Sequence, residues 1–234
     1  MPRVAAAAAT LALALTLAAC GDSEDTSSST EASSTTESTT TAPADSENVN
    51  LKFGTLTPDV AVDDREGTEP AAIEAADLEA AATDAGCELQ VDLADEGNNH
   101  LDDPDEVPEY ETSPPTSGDH FADFDEAGAG AFADGAFLDT PPPNRVVHSL
   151  EHGRVAIQYS PDLAEEDQLA LKGVFDEDRP GVLLFPNDEM PYEVAATAWT
   201  RLLGCETYEG AATLDAIRLF RDEFRGKGPE AVVF

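Results

Sequence analysis

All four histidines of the chain fall between residues 100 and 152, and this clustering is the strongest chemical signal in the sequence. They are His100, His120, His148 and His152, with Glu151 beside the last. Imidazole and carboxylate groups are common ligands of Zn²⁺ and Cu²⁺. We therefore predict that some or all of these five side chains bind one divalent ion, copper or zinc. The alternative is that each histidine is structural, hydrogen-bonded to a loop backbone or to a nearby carboxylate.

The segment His148-Ser-Leu-Glu151-His152 also has the spacing of the inverted zinc-peptidase motif. That chemistry needs both histidines on one helical turn. Val146-Val147 before the segment and residues 155–159 after it favour strands. A fully extended segment would place the two Cα atoms roughly 13 Å apart, too far to share one ion. We therefore disfavour a peptidase and expect a turn or bulge near residues 149–150 to bring the pair together.

A metal-dependent hydrolase stays open as an alternative, with Glu151 as general base for a metal-bound water. Three protein ligands plus water would favour catalysis, whereas four protein ligands would favour binding without turnover. The sequence has no G-x-S-x-G nucleophile motif. Ser117 is therefore interpreted as part of a rigid turn, residues 114–118, that presents His120.

The elements around the histidines indicate one α+β domain, a small mixed or antiparallel sheet flanked by helices. Residues 94–144 are rich in Asp, Glu, Pro and Gly and read as an unusually long loop, a feature often tied to function. Trp199 and the last helix are interpreted as core. The hydrophobic spacing predicts helices over 70–85, 164–175 and 211–225, and strands over 89–93, 146–147, 155–159, 182–185 and 192–203.

Cys87 and Cys205 are predicted to form a disulfide that closes a loop of about 119 residues. This rests on an oxidising compartment, which the N-terminus indicates. Residues 1–19 have one charge before an apolar run and resemble a signal peptide. The run ends at Leu-Ala-Ala-Cys20-Gly, which resembles a bacterial lipobox, so we predict lipidation of Cys20. The protein would then be attached to the extracytoplasmic face of the cell membrane by this lipid anchor.

Residues 20–67 are predicted to be a disordered tether, and residues 68–234 the folded domain. Residues 21–50 hold 15 Ser or Thr and 7 acids, too polar to offset the entropy of folding. The whole chain of 234 residues has a formal net charge of −37. Such a charge argues against nucleic acid as a partner, because phosphates would repel it. A third hypothesis is a cell-envelope interaction or scaffold module with structural histidines, whose protein partner the sequence does not identify.

Two longer motifs carry a resemblance to a known family. The run Pro-Pro-Thr-Ser-Gly-Asp-His ends at His120, and Val-Val-His-Ser-Leu-Glu-His-Gly ends at Gly153, before a strand that ends in Tyr-x-Pro. Together with His100, Tyr110, Ala198-Trp199 and the closing 228–230, they resemble the exported bacterial family called domain of unknown function 3105. The resemblance covers about residues 70–234 and implies a lipid or single-span tether. Asp119 and Thr200 depart from its usual Pro and Gly. The family implies no activity.

Overall fold

The computed structural model describes residues 60–122 and 134–230. Residues 1–59, with the predicted signal peptide, Cys20 and most of the predicted tether, lie outside the described residues. The described part has the α+β architecture that the sequence predicts. Its helices are α1 (Leu78–Asp84), α2 (Pro143–Glu151), α3 (Glu165–Glu177) and α4 (Ala211–Phe224). Its strands are β1 (Glu88–Gln90), β2 (His100–Leu101), β3 (His120–Phe121), β4 (Gly135–Ala136), β5 (Val155–Tyr159), β6 (Val182–Pro186), β7 (Val194–Ala198) and β8 (Arg201–Cys205).

A six-stranded mixed sheet forms the centre, in the order β1-β8-β7-β5-β6-β4. The strands from β1 to β5 pair antiparallel, whereas β5, β6 and β4 pair parallel. The strand β5, the helix α3 and the strand β6 make one βαβ unit, which the sequence pattern did not indicate. The two-residue strands β2 and β3 pair separately.

The sheet is buried on both sides, and successive residues of a strand face opposite sides. Val155 and Ile157 of β5 pack with residues of α1, α3 and α4, on what we call the helix face. Ala156, between them, packs with α2 and Trp199, on what we call the loop face. The loop face also receives Tyr110 from the long segment between β1 and β4. The predicted burial of Trp199 and of the last helix is confirmed.

A disulfide joins Cys87 and Cys205, as predicted, with a Cα–Cα distance of 4.2 Å. Cys87 precedes β1 and Cys205 ends β8, and these two strands pair at the sheet edge. The bond therefore fixes the N-terminal part of the domain to the sheet.

The helix predicted over 70–85 is shorter, because a tertiary contact competes with it. The Asp215 carboxylate of α4 accepts hydrogen bonds from the backbone of Glu74 at 2.8 Å and of Ala75 at 3.4 Å. The helix begins only after Asp77, whose side chain caps the Ala80 N–H at 2.9 Å. The helices predicted over 164–175 and 211–225 and the strands predicted over 155–159 and 182–185 are confirmed. The single strand predicted over 192–203 is instead two strands, β7 and β8, because a turn at residues 199–200 divides it.

The prediction of extended structure around the last two histidines is wrong, since residues 143–151 form the helix α2. Pro143 stands in the first turn, where its missing N–H costs nothing. Gly153, with φ +82°, ends the helix in a Schellman motif. In this motif the Arg154 N–H donates to Ser149 O at 3.0 Å and the Gly153 N–H to Leu150 O at 2.9 Å. Within the described ranges, no helix is long and apolar enough to cross a bilayer.

Candidate metal centre

The pairing of β2 with β3 places two of the histidines side by side. His100 is the direct register partner of His120 in this parallel pair. Residues in register point to the same side, so the two rings lie 5.0 Å apart between centroids.

The Pro-Pro-Thr-Ser-Gly segment is a hydrogen-bonded turn that presents His120, as predicted. Ser117 Oγ accepts the Glu96 N–H at 3.0 Å, so this hydroxyl is structural. The Gly118 N–H donates to Gly97 O at 3.0 Å. Gly118 has φ +126°, and a Cβ there would lie 2.9 Å from the Tyr110 ring. The turn therefore requires glycine at this position.

Helix α2 supplies the other three predicted side chains from one turn. His148, Glu151 and the C-cap residue His152 are spaced i, i+3 and i+4, which puts them on one helix face. The two histidines approach with their Nε2 atoms 2.9 Å apart. The bulge that we expected here is replaced by a regular helical turn, which achieves the same convergence.

The Glu151 carboxylate is the centre of the cluster. Its Oε2 lies 3.0 Å from His120 Nε2, 3.5 Å from His100 Nε2 and 3.9 Å from His148 Nε2. Its Oε1 accepts a hydrogen bond from Asn98 Nδ2 at 3.0 Å. One carboxylate oxygen therefore faces three imidazole nitrogens.

Backbone carbonyls orient two of the rings. His120 Nδ1 lies 2.9 Å from Gly118 O and His152 Nδ1 lies 3.1 Å from Glu230 O. A carbonyl oxygen only accepts hydrogen bonds, so each Nδ1 carries a proton. In a neutral ring Nε2 is then the acceptor nitrogen, and in these two residues it faces Glu151 Oε2 and His148 Nε2 respectively. Metal-binding histidines are commonly held by this type of second hydrogen bond.

Burial favours neutral histidines on α2. His148 is 1% exposed, and its burial, with His152 and His120 nearby, lowers its pKa to about 3. Burial also lowers the pKa of His152. Burial alone would raise the pKa of the Glu151 carboxyl, but its close contact with the His120 ring and the hydrogen bond from Asn98 outweigh it and lower that pKa to about 2. At neutral pH the site thus combines an anionic carboxylate with at least one neutral imidazole.

The C-terminal segment, residues 226–230, packs against the end of α2 beside the cluster. The Glu230 N–H donates to Glu151 O at 3.0 Å, and the Gly226 N–H donates to Gly153 O at 2.7 Å. Gly228 passes so close to the backbone at the end of α2 that a Cβ would collide with Glu151 O. Glycine is required here for close approach, not for a special φ.

Four of the five predicted residues form one group that could hold a metal ion. One ligand atom from each of His100, His120, His148 and Glu151 lies within 4.8 Å of all the others. The fifth, His152, belongs to a second such group, with Glu151 and Glu230. Glu230 and Asn98 were not predicted as site residues. Asn98 precedes His100 by two residues in a polar turn, whereas only the folded chain brings Glu230 to α2.

A family model described as "Protein of unknown function (DUF3105)" matches residues 102–232. The matched segment begins two residues after His100 and includes the other four predicted residues. No curated protein and no solved structure matches the chain.

Proposed function

The chain belongs to the DUF3105 family of proteins of unknown function, and from the geometry of its own residues we propose that it binds a divalent metal ion, Cu²⁺ or Zn²⁺. The ligands are His100, His120, His148 and Glu151. The protein does so on the extracytoplasmic face of the cell membrane, attached through lipid on Cys20.

The observation that carries the proposal is the convergence of these four donors from three separate elements. Three of the four residues are fully buried, at 1% exposure or less. Burying a carboxylate among imidazoles is costly unless a cation compensates for it. His120 presents an unprotonated Nε2 to Glu151 Oε2 when its ring is neutral, so two acceptors meet at 3.0 Å. A proton or a metal ion between them resolves this conflict.

The donor set favours particular ions. Three imidazoles and one carboxylate suit Zn²⁺ and Cu²⁺, whereas Ca²⁺ and Mg²⁺ prefer sites made of oxygen. The group contains no sulfur ligand, and Cu⁺ prefers thiolates and thioethers. Because His148 is neutral at neutral pH, it can coordinate an ion without first losing a proton.

Binding without turnover is the favoured role. Four protein donors fill a tetrahedral ion, and Glu151 as ligand is not available as a base. The His100 side chain is 33% exposed while the other three are buried, so it forms the entrance. An ion can therefore be exchanged at His100, which suits a protein that buffers or passes on copper or zinc in the cell envelope.

A metal-dependent hydrolase is a second candidate, supported by the helical conformation of α2. The structure brings His148 and His152 together on one turn, as the inverted peptidase motif requires. In that role both histidines would bind the ion and Glu151 would activate a water. Conversion of model peptide or ester substrates by the Zn²⁺-loaded chain, lost in Glu151→Gln at unchanged metal content, would favour this candidate.

Metal content tests the proposal directly. The full chain is purified without a histidine tag, exposed to Cu²⁺ or Zn²⁺, desalted and analysed by mass spectrometry for metal per chain. We expect at least one equivalent, and at least a 100-fold weaker Kd in His120→Ala and His148→Ala. Glu209→Gln, an exposed carboxylate change outside the cluster, is the matched control. Folded protein that stays metal-free would contradict the proposal and favour the interaction-module hypothesis.

The membrane attachment has its own test. Labelling with a radioactive fatty acid should mark the wild-type chain and not Cys20→Ala, and the variant should leave the membrane fraction. Equal labelling of both chains would contradict lipidation at Cys20.

A further inference from the structure

We propose that the centre holds two metal ions, the second bound by Glu151, His152 and Glu230, with Glu151 shared between them. This inference rests on the proposed function and extends it from a mononuclear to a dinuclear site. The second ion is a divalent first-row cation, since its donors are one imidazole and two carboxylates.

The number of donors exceeds the needs of one ion. Four histidines and two glutamates contribute to two overlapping groups that could hold a metal, and each group lies within 4.8 Å. Zn²⁺ and Cu²⁺ usually take about four or five ligands. Six converging donors that divide into groups of four and three, with one shared member, match two adjacent ions better than one.

The spacing of the two α2 histidines supports this division. Their Nε2 atoms are 2.9 Å apart. Two nitrogens on one tetrahedral ion, with bonds of about 2.0–2.1 Å, would be about 3.4 Å apart. His148 and His152 are therefore closer than one tetrahedral ion would place them. At this distance the two nitrogens share a hydrogen bond, so one of them carries a proton. We assign the two rings to neighbouring ions, which bind once this proton has been displaced.

Glu151 is placed to bridge. A carboxylate offers about four lone-pair sites on two oxygens. Oε2 faces the first group of histidines, and Oε1 accepts one hydrogen bond, from Asn98. Oε1 keeps capacity for a second ion. The two ions of two-metal sites in enzymes lie about 3.5–4 Å apart, a separation that one carboxylate spans.

Glu230 is fixed where the second ion needs a ligand. Its N–H donates to Glu151 O at 3.0 Å and its carbonyl accepts from His152 Nδ1 at 3.1 Å. Both backbone groups of this residue are thus bonded to residues that would bind the ion. Its carboxylate is exposed, so we expect the second ion to be held more weakly and to exchange faster than the first.

The experiment is a Cu²⁺ titration of the full chain, followed by metal analysis and electron paramagnetic resonance. We expect two equivalents per chain. Because a carboxylate bridge couples the two spins, the signal should rise with the first equivalent and change shape or lose intensity with the second. Glu230→Gln should bind one equivalent with an unchanged first Kd and an uncoupled signal. Glu209→Gln should behave as the wild type, and circular dichroism confirms that each variant is folded.

The outcomes separate the two proposals. A single equivalent in the wild type, lost in His120→Ala, overturns the second site and leaves the proposed function in place. No bound copper overturns both. Two equivalents in Glu230→Gln, with uncoupled spins, overturn the shared site, because the second ion then binds elsewhere.

Discussion

The two faces of the central sheet are both buried, but they differ in how many apolar and polar side chains they bury. Among the described residues, 23 buried apolar residues form the cluster on the helix face, and 8 form the one on the loop face. Beside this smaller cluster the loop face also buries polar side chains, with His120, His148, Glu151 and His152 almost inaccessible to water.

This difference separates stability from function. Apolar burial drives folding at roughly 25 cal/mol per Å², so the helix face supplies most of the stability. The buried polar cluster returns little stability without a cation, because its groups lose hydration. The apolar core on the helix face therefore stabilises the sheet on which the polar cluster of the loop face is built. Five sets of substitutions test whether stability and metal binding separate in this way.

The disulfide change should have the largest effect. Cys87→Ala with Cys205→Ala opens a loop of about 119 residues, which corresponds to about 4–5 kcal/mol of unfolding free energy. Urea unfolding measures this loss. We expect the folded fraction to keep its metal stoichiometry, since the bond lies at the β1–β8 edge. Loss of metal from folded protein would show that the two faces are not independent.

Two neighbouring leucines of β6 provide a matched pair. Leu183 and Leu184 are both buried, but Leu183 packs in the loop-face cluster with Val147 and Leu150 of α2, and Leu184 packs in the helix-face cluster. Each change to Ala should cost about 3 kcal/mol of stability. Only Leu183→Ala should also weaken metal binding, about tenfold, because it removes support from α2. Equal metal affinities in calorimetric titrations would refute the distinction.

Gly228→Ala should affect the loop face alone. The added Cβ would meet the backbone at the end of α2, so the C-terminal segment must move. We expect a cost of about 2 kcal/mol, typical of overpacking, together with weaker metal binding as His152 loses its carbonyl partner. Lys227→Ala, an exposed neighbour, is the control. An unchanged Kd in Gly228→Ala would show that the segment does not position the site.

Thr200→Gly should stabilise the protein. Thr200 has φ +59° at the β7–β8 turn, a conformation that costs a β-branched residue about 1–2 kcal/mol. Its N–H donates to Thr116 O at 3.0 Å, next to the turn that carries His120. We expect a gain of about 1 kcal/mol in thermal or urea unfolding with unchanged metal affinity. A loss of stability would mean that the hydroxyl contributes more than the strain costs.

Glu177→Gln should have the smallest effect. Arg218 of α4 donates to Glu177 of α3 at 2.8 Å, and this hydrogen bond is the main cause of the lowered pKa of Glu177. A lowered folded-state pKa stabilises the fold above the unfolded value of 4.5, and that contribution disappears as pH falls through the folded value. We expect about 0.5 kcal/mol at pH 7 for this pair of a buried Arg and a partly exposed Glu, and a smaller difference as the pH falls below 4.5. A difference that stays constant as the pH falls would point to packing.

Sequence reasoning predicted which side chains lie together better than it predicted their local structure. The four histidines and Glu151 are grouped in the sequence, and they also lie together in the fold. The first grouping could be recognised because it concerns residue types, which the sequence gives directly. The conformation of 143–151 was mispredicted because Val146 and Val147 favour strands, whereas burial against the sheet decides otherwise. Pro143 at the first position of this segment and Gly153 after it are typical of a helix start and end. Read together, they could have indicated α2.

Apart from the disulfide, the long-range contacts could not be predicted. The start of α1 depends on Asp215, about 140 residues away, and the second metal group depends on Glu230. Neither residue has a local pattern that marks its partner. Propensity describes a segment by itself, so it fails where a distant side chain or backbone group supplies the hydrogen bonds.

The docking of the C-terminal segment on α2 has a consequence for how the chain folds. Contacts between residues far apart in sequence form late, because long loops must close first. His100, His120, α2 and Glu230 come together over 130 positions. We therefore expect the ion-binding centre to be completed in the last step of folding, so that only the fully folded chain binds metal. Stopped-flow refolding should show metal uptake lagging behind the formation of the β-sheet.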